Sequence, residues 1–389
     1  MKKPLIISSF ILSVFVSISC TPNKPDDGSG LKKIELQATD TVKINYSGQT
    51  LLISDFRKDM LVFFDFFSKE ILITDLRGII LHHFNNSVLG ADNFGDQILG
   101  VRFQTDTSIS VLSDVGYFIY TLDGKTISKY KHPSHIDKAY ITGDFKLDYD
   151  QKRKMFISLL TTSTDLSSSV PEFYTEIKHI TTFKLDSQKY SRMIKCEPES
   201  SFLQKEYFNN EWGVHFDINK DTIALIYGRD PIVYIYGLSS FQKKTSFKTF
   251  PEHFRSEVKF KFGENTSDNH KLRLTSFSNS TYRKIFIHGD TVTASYNAGI
   301  PLEEFKNVEN LDDLNNIGYL KQQHYLQIFI KGKKEFSDFE LPKEFPFVEL
   351  FSKGIVILGE QSRWNLKKDG NKRFLIAQIK YKPSKLINQ

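Results

Sequence analysis

The amino-acid sequence predicts an all-β protein, a β-propeller of about six blades with a small helical insertion near residues 301–323. Two observations predict this class: strand-like units recur along the chain, and an unmatched strand near its beginning would complete a blade near its end that lacks one strand. The unit is clearest in residues 60–84, where aromatic and aliphatic runs are separated by charged residues and Gly78. Seven blades is the nearest alternative within the class, and a pair of β-sandwiches or a β-solenoid is the alternative outside it.

The composition excludes two broad classes. With 389 residues, 40% hydrophobic and 25% charged, the chain is globular and not disordered. The formal charge of +6 is small, and no run of Lys and Arg exceeds three residues, so we expect no nucleic-acid partner. The 34 Phe and 17 Tyr fit either an aromatic binding surface or an A/T-rich genome.

Residues 1–19 have the three parts of an export signal. Lys2 and Lys3 supply the positive start, residues 5–16 form an apolar run, and small residues follow. The apolar run is shorter than the ~20 residues that a membrane-spanning helix needs. We therefore expect a signal peptide and not a membrane helix.

The end of this signal, Val-Ser-Ile-Ser-Cys at residues 16–20, resembles the bacterial lipobox. In lipoproteins of that class the cysteine, here Cys20, receives a diacylglycerol and the signal is cut just before it. Ile18 departs from the smaller residue that is usual at its position, and an ordinary signal peptide with an incidental cysteine is the alternative. Residues 20–30 are rich in Pro, Gly and Asp, which predicts a flexible tether, and residues 31–389 are predicted to form a single propeller domain.

Similar hairpins recur at propeller-like spacing. The hairpin at 73–78 matches one at 119–124, and further matches at 183–187 and 235–239 follow at spacings of 63 and 53 residues. In each, a hydrophobic strand enters a tight turn and returns as a more polar strand, as expected for the third and fourth strands of a blade. Two strand-like runs precede each later hairpin, at 101–104 and 108–112, at 145–149 and 155–160, and at 212–218 and 222–227.

The last two blades are less regular. A fifth blade is predicted from runs at 285–288, 291–296, 325–330 and 336–341, interrupted by a helical period that starts at Pro301. The sixth has runs at 347–351, 354–358 and 374–381 but no fourth strand. Residues 33–44 form a strand without a blade, and joining them to the sixth blade would close the ring and remove both free sheet edges.

No motif in the sequence predicts a reaction. His132, His135 and Asp137 form an HxxHxD group, but a proline lies inside it and no paired group follows, so we expect solvated loop residues and no metal site. The sequence has no GxSxG, HExxH or phosphate-binding glycine loop, and Cys196 has no histidine close to it in sequence. We therefore predict no catalytic residue and no cofactor.

Propeller topology predicts which loops would bind a ligand. The loops between second and third strands, and those between blades, open at the same end of the central channel. In the 228–231 turn, Gly and Pro fix the backbone, which leaves the charges free for recognition beside Trp212 as a stacking surface. Ordinary solvated loops are the alternative. The candidate ligand-binding residues are Asp114, His132, His135, Asp137, Glu211, Trp212, Arg229, Asp230, Arg363 and Trp364.

The lipobox, the tether and the Phe- and Tyr-rich blades resemble uncharacterised propeller-like lipoproteins of Bacteroidota, a family of unknown function. The resemblance implies an outer-membrane protein, anchored through lipid on Cys20, that acts as a ligand-binding or assembly module in the cell envelope. Its partner would be an envelope protein, a glycan or a peptide. The protein could face either the periplasm or the cell surface. The alternative is a propeller enzyme, a lyase or hydrolase on glycan or peptide, with a metal in the channel.

The lipobox generates a direct prediction about Cys20. The mature chain should begin at this residue and carry acyl chains, because each buried CH₂ contributes ~0.8 kcal/mol to membrane anchoring. Cys20→Ala should therefore leave a soluble or unprocessed form. Intact-mass analysis measures this, and an unmodified amino terminus at another residue would contradict it.

Overall fold

The computed structural model describes residues 31–87, 90, 93–132, 139–141, 145–162, 171–203, 206–207, 213–256, 260–261, 268–352, 354–360 and 371–382. Six antiparallel sheets, five of four strands and one of five, contain most of the strands. They are the six blades of a β-propeller, as the sequence predicts. Within the described residues, no helix is long and apolar enough to cross a membrane.

The first strand of the chain, β1 (Lys33–Asn45), belongs to the last blade. The first blade follows it, and alternating apolar residues give each of its middle strands a buried face against the second blade. The first blade is β2 (Leu51–Arg57), β3 (Met60–Asp65), β4 (Ile71–Asp75) and β5 (Ile80–Phe84). The second blade is β6 (Ile98–Phe103), β7 (Ser108–Ser113), β8 (Gly116–Thr121) and β9 (Thr126–Lys131).

The third and fourth blades carry additional short elements in their connections. The third blade is β11 (Leu147–Asp150), β12 (Met155–Ser158), β14 (Lys178–Lys184) and β15 (Lys189–Lys195), with the pair β10 (Ala139–Ile141) and β13 (Leu160–Thr162) and the helix α1 (Pro171–Glu176) beside it. The fourth is β17 (Val214–Asn219), β18 (Thr222–Tyr227), β19 (Ile232–Gly237) and β20 (Lys243–Lys248). A 3₁₀ helix (Ser201–Leu203) and β16 (Glu206–Tyr207), which pairs with β21 (Phe260–Lys261), lie in the flanking connections.

The helix α2 (Asn269–Ser278) precedes the fifth blade, and α3 (Leu311–Lys321) interrupts it. The predicted insertion at 301–323 is confirmed as a 3₁₀ helix (Leu302–Phe305) followed by α3, whereas α1 and α2 were not predicted. The fifth blade is β22 (Thr281–His288), β23 (Thr291–Asn297) and β24 (His324–Ile330), with β25 (Lys333–Lys334) and β26 (Phe339–Glu340) sharing its outer position. The sixth is β27 (Phe347–Ser352), β28 (Ile355–Gly359), β29 (Asn371–Lys382) and β1.

The ring closes by pairing β1 with β29. The register runs from Lys33 opposite Lys382 to Asn45 opposite Asn371. Val42 and Ile44 on β1 are fully buried in a cluster with Phe374, so the closing strand contributes to the core as well as to the sheet. The predicted closure by residues 33–44 is therefore confirmed.

Antiparallel pairing sorts the connections to two ends of the ring. First-to-second and third-to-fourth connections lie at one end, which we call the turn end, and are two to five residues long in blades 1–4. All others lie at the opposite, loop end, where the sequence analysis placed its binding face. The longest loop-end connections are 132–146, 159–177, 196–213, 249–280 and 298–323.

Ring closure predicts a contrast between two deletions. Deleting residues 31–45 removes β1, exposes the edge of β29 and uncovers the cluster around Phe374, so the thermal midpoint should fall by many degrees. Deleting residues 21–30 should leave the midpoint unchanged. Thermal unfolding of both deletions measures this, and equal midpoints would contradict the role of β1.

Candidate functional site

A cavity of about 1100 Å³ lies along the inner strands of the propeller. Its walls come from the inner strands β2, β17, β22 and β27, from the residues just before β11, and from α2 and α3. Since both helices belong to loop-end connections, the cavity reaches the loop end of the channel. Its volume is at the upper end of the ~300–1,000 Å³ that small-molecule sites usually occupy.

Aromatic side chains form much of the apolar wall. They come from four inner-strand regions, from the second strands β3 and β23 and from both helices, so their rings surround the cavity from several blades. Most of these rings are buried, whereas Tyr319, which is 51% exposed, and the half-buried Phe145 and Phe347 present open apolar faces to a ligand. The aromatic lining residues are Phe64, Phe145, Phe216, Phe277, Phe286, Tyr296, Tyr319 and Phe347.

β-Bulges on the inner strands aim polar side chains into the cavity. In β2, β6, β22 and β27 one residue is left without a partner in the register of the neighbouring strand: Ser54, Leu99, Arg283 and Glu349. Three of these four, all except Leu99, line the cavity. A bulge re-aims the side chain of its extra residue. The repetition of the bulge in four blades therefore determines which side chains face the channel.

Helix α2 is fixed at its start and against α3. The carboxylate of Asp268 accepts hydrogen bonds from the backbone N–H groups of His270 and Lys271, at 2.9 and 3.1 Å, and so caps the first turn. Gly318 of α3 lies so close to the ring of Phe277 that a Cβ there would come within 2.4 Å of it. This close approach holds α3 over α2 at the cavity wall.

Several of the charged groups around the channel are paired. Lys146 Nζ lies 2.8 Å from Asp217 Oδ1, and the other oxygen of Asp217 accepts a hydrogen bond from the backbone N–H of Ile287 at 2.9 Å. Burial lowers the pKa of Lys146, but the neighbouring carboxylates, Asp217 foremost, outweigh burial and raise it above its ordinary value. This ion pair connects the third, fourth and fifth blades around the channel.

Two further sets of ion pairs follow the same pattern. Arg102, on the inner strand of the second blade, pairs with Asp148 of the third and lies 3.9 Å from Asp55 of the first. Glu344 and Glu360, which line the cavity, both pair with Arg373. These charges therefore have a protein counter-ion.

Arg283 and Arg273 differ from these paired charges, because neither forms an ion pair with a described carboxylate. Arg283 donates from Nε to Asn297 Oδ1 at 2.8 Å, and among the described residues no carboxylate forms an ion pair with it. Its residue is exposed to the solvent of the cavity, and the protein around it lowers its pKa. Arg273, on α2, lines the same cavity and likewise has no carboxylate partner within the described part of the chain.

Four of the sequence-predicted site residues are described, and none lines the cavity. Asp114 Oδ1 accepts from the backbone N–H groups of Asp96 and Gln97, both at 3.1 Å, and so orders a loop. His132 contacts the Tyr190 hydroxyl at 2.7 Å and the Ser113 carbonyl at 2.9 Å. Burial lowers the pKa of His132.

The expectation that the charges of the 228–231 turn are free for recognition is wrong. Arg229 and Asp230 are only 3% and 1% exposed, because the neighbouring connections cover the turn. Asp230 Oδ2 accepts a hydrogen bond from the Tyr234 hydroxyl at 2.7 Å, and Arg229 Nη2 donates to the carbonyl of Thr275 in α2 at 3.4 Å. Both charges thus have structural contacts. The remaining predicted residues, His135, Asp137, Glu211, Trp212, Arg363 and Trp364, lie outside the described residues.

Sequence reasoning missed the two cavity arginines for identifiable reasons. Arg283 is two residues before Ile285, and strict alternation would place both side chains on the same face. The bulge between Tyr282 and Lys284 breaks that alternation. The adjacent charged residues Arg283 and Lys284, which precede the apolar run of an inner strand, are the available signal. Arg273 was missed because α2 was not predicted.

A cysteine–histidine contact was also missed. His179 Nε2 lies 3.4 Å from Cys196 Sγ, although the two residues are distant in sequence: His179 is near the start of β14, and Cys196 directly follows the end of β15. Burial lowers the pKa of His179 to about 3 and raises that of the Cys196 thiol to about 12. The pair therefore consists of a neutral imidazole and a neutral thiol, whereas a nucleophilic cysteine needs a thiolate. Within the described residues, no group of three or more His, Cys, Asp or Glu could hold a metal ion.

The low pKa of His179 predicts a loss of stability in acid. In the unfolded chain the imidazole takes up a proton below its ordinary pKa of about 6.5, whereas the folded state does so only near pH 3. The free energy of unfolding should therefore fall as the pH decreases through this window, by about 2 kcal/mol from His179 between pH 7 and pH 5.

Urea unfolding at the two pH values measures this effect. His179→Phe keeps a ring against Tyr227, whose centroid is 5.1 Å away, and should abolish this part of the pH dependence. The control is His288→Gln, at an exposed position at the end of β22, which should retain it. Equal pH dependence in the His179→Phe variant and the wild type would contradict the assignment.

Two solved structures from Bacteroides are similar to this chain. A member of the duf4221 family from Bacteroides vulgatus matches 91% of this chain and 100% of its own, with a TM-score of 0.68 and 12% sequence identity. A candidate exported protein from Bacteroides fragilis matches 90% of this chain and 96% of its own, with a TM-score of 0.52 and 9% identity.

One further solved structure matches weakly, and two other comparisons found no match. A PQQ-bound aldose sugar dehydrogenase from Streptomyces coelicolor has a TM-score of 0.49 and 11% identity, covering 90% of this chain and 99% of its own, and supports no argument here. No protein-family model matches the chain, and no curated protein matches it. At such identities the similarity shows the fold alone. The resemblance to an uncharacterised propeller family of Bacteroidota is confirmed at that level.

Proposed function

We propose that this protein is a lipid-anchored module of the cell envelope whose propeller binds a ligand in the channel cavity. The observation that carries the proposal is the cavity of about 1100 Å³, which has aromatic and charged walls and reaches the loop end. Binding sites are typically concave, mostly apolar and supplied with a few fixed polar groups. The inner-strand bulges provide such groups on a rigid ring.

The difference between the two ends supports this location. Connections at the turn end are only two to five residues long in blades 1–4, whereas those at the loop end contain α1, α2 and α3. Long connections on a rigid scaffold are where binding residues are most often found. Two of the three helices contribute directly to the cavity wall.

The location in the envelope is supported by the amino-terminal residues and by one structural neighbour. The export signal and Cys20 favour lipid attachment, and residues 21–30 provide a tether between lipid and propeller. The neighbour from Bacteroides fragilis is described as a candidate exported protein, which agrees with export of this chain. We place the anchor in the outer membrane, on either face.

Tyr319 offers a test of the cavity as the binding site. It lines the cavity from α3, is 51% exposed and packs edge to face on Phe277 at 5.5 Å. Tyr319→Ala should leave the thermal midpoint nearly unchanged but weaken ligand binding by about 1–3 kcal/mol, because an exposed aromatic face at the centre of a site contributes that much. Binding is measured with glycan and peptide arrays, followed by titration of the hits.

Phe56 is the matched control. It is 36% exposed and lies toward the turn end of inner strand β2. Phe56→Ala should bind every array hit as the wild type does. If Phe56→Ala loses binding while Tyr319→Ala retains it, the ligand binds at the turn end and the proposal is wrong.

A further inference from the structure

The charged side chains that line the cavity differ in their partners. Lys146, Glu344 and Glu360 each form an ion pair with another protein side chain. Arg273 and Arg283 form none with any described carboxylate, although both line the same cavity. The cavity thus presents two guanidinium groups without a protein counter-ion among the described residues.

Arg283 is open to the cavity and has no counter-ion among the described residues. The residue is exposed, so its guanidinium meets the water of the cavity, and the protein around it lowers its pKa. A third arginine lies nearby, because repulsion from Arg283, after burial itself, lowers the pKa of Arg229. The bulge in β22 directs Arg283 to the cavity, where a bound anion would supply the missing opposite charge.

We propose that Arg273 and Arg283 bind the acidic group of an organic anion whose body packs on the aromatic wall of the cavity. Guanidinium groups present planar, forked donors that match carboxylate, sulfate and phosphate oxygens, and such charge-assisted hydrogen bonds are strong. Tyr319 of α3, which is 51% exposed, and the half-buried Phe145 and Phe347 supply apolar faces for the rest of the molecule. This inference rests on the proposed function, since it names the class of ligand that the cavity takes.

Calorimetric titration with acidic and neutral probes tests the inference. The full-length protein in detergent is titrated at constant ionic strength with a galacturonate tetrasaccharide, a sulfated heparin tetrasaccharide and the neutral maltotetraose. The acidic probes should bind about tenfold or more tightly than the neutral one. The two acidic arms distinguish a carboxylate from a sulfate as the preferred group.

Single variants identify the residues responsible. Arg283→Gln and Arg273→Gln should each weaken the acidic probes about tenfold or more and leave the neutral probe unchanged. If wild type and variants bind all three probes equally, the cavity binds ligand as proposed but the arginines do not select an anion. If none of the probes binds, the inference is wrong, and so is the expectation that the cavity binds an anion the size of these saccharides.

Thermal unfolding without any ligand provides a second readout. Arg283→Gln removes an unbalanced charge and keeps a polar group beside Asn297, so its thermal midpoint should equal or exceed that of the wild type. The matched control is Arg102→Gln on inner strand β6, whose loss leaves Asp148 without its arginine partner and should lower the midpoint. A fall for Arg283→Gln as large as that for Arg102→Gln would make Arg283 a structural residue and overturn the inference.

Discussion

The pairing of β1 with β29 is the contact on which the rest of the structure depends. It joins the two ends of the described propeller over a register from Lys33 opposite Lys382 to Asn45 opposite Asn371. Without it the sixth blade would lack its outer strand, and Val42 and Ile44 would leave the core. A closed ring fixes the inner strands relative to one another. That rigidity is what allows side chains from four blades to face a single cavity.

Side chains of the inner strands either join neighbouring blades or face the cavity, and the two functions compete for the same positions. Asp55 and Asp217 accept hydrogen bonds from the backbone N–H groups of Phe103 and Ile287, which belong to neighbouring blades. These bonds connect the blades around the channel. The bulged positions instead turn side chains toward the cavity, as with Arg283. Paired charges stabilise the ring, whereas a cavity cation without a counter-ion among the described residues is typical of a binding site.

The sequence predicted those features that depend on local pattern. Aromatic and aliphatic runs between charged residues and glycine identify the strands, and counting strands leaves residues 33–44 as the partner of the sixth blade. The predicted exposure of Arg229 and Asp230 is wrong. A turn that contains Gly and Pro is usually exposed, but the burial of these two residues depends on connections that are distant in sequence. Arg283 depends on a bulge, and a bulge is defined by the register with a partner strand. The contact of His179 with Cys196 likewise forms only once the hairpin pairs.

Hydrogen exchange measured by mass spectrometry tests most directly the claim that an organic anion binds at the loop end of the channel. The full-length protein is compared with and without saturating sulfated or uronate tetrasaccharide, at equal ionic strength. We expect slower exchange in peptides covering 269–286 and 311–323, and unchanged exchange in the turn-end connections 58–59, 122–125 and 220–221. Slower exchange at the turn end, or no change at 269–286, would contradict it.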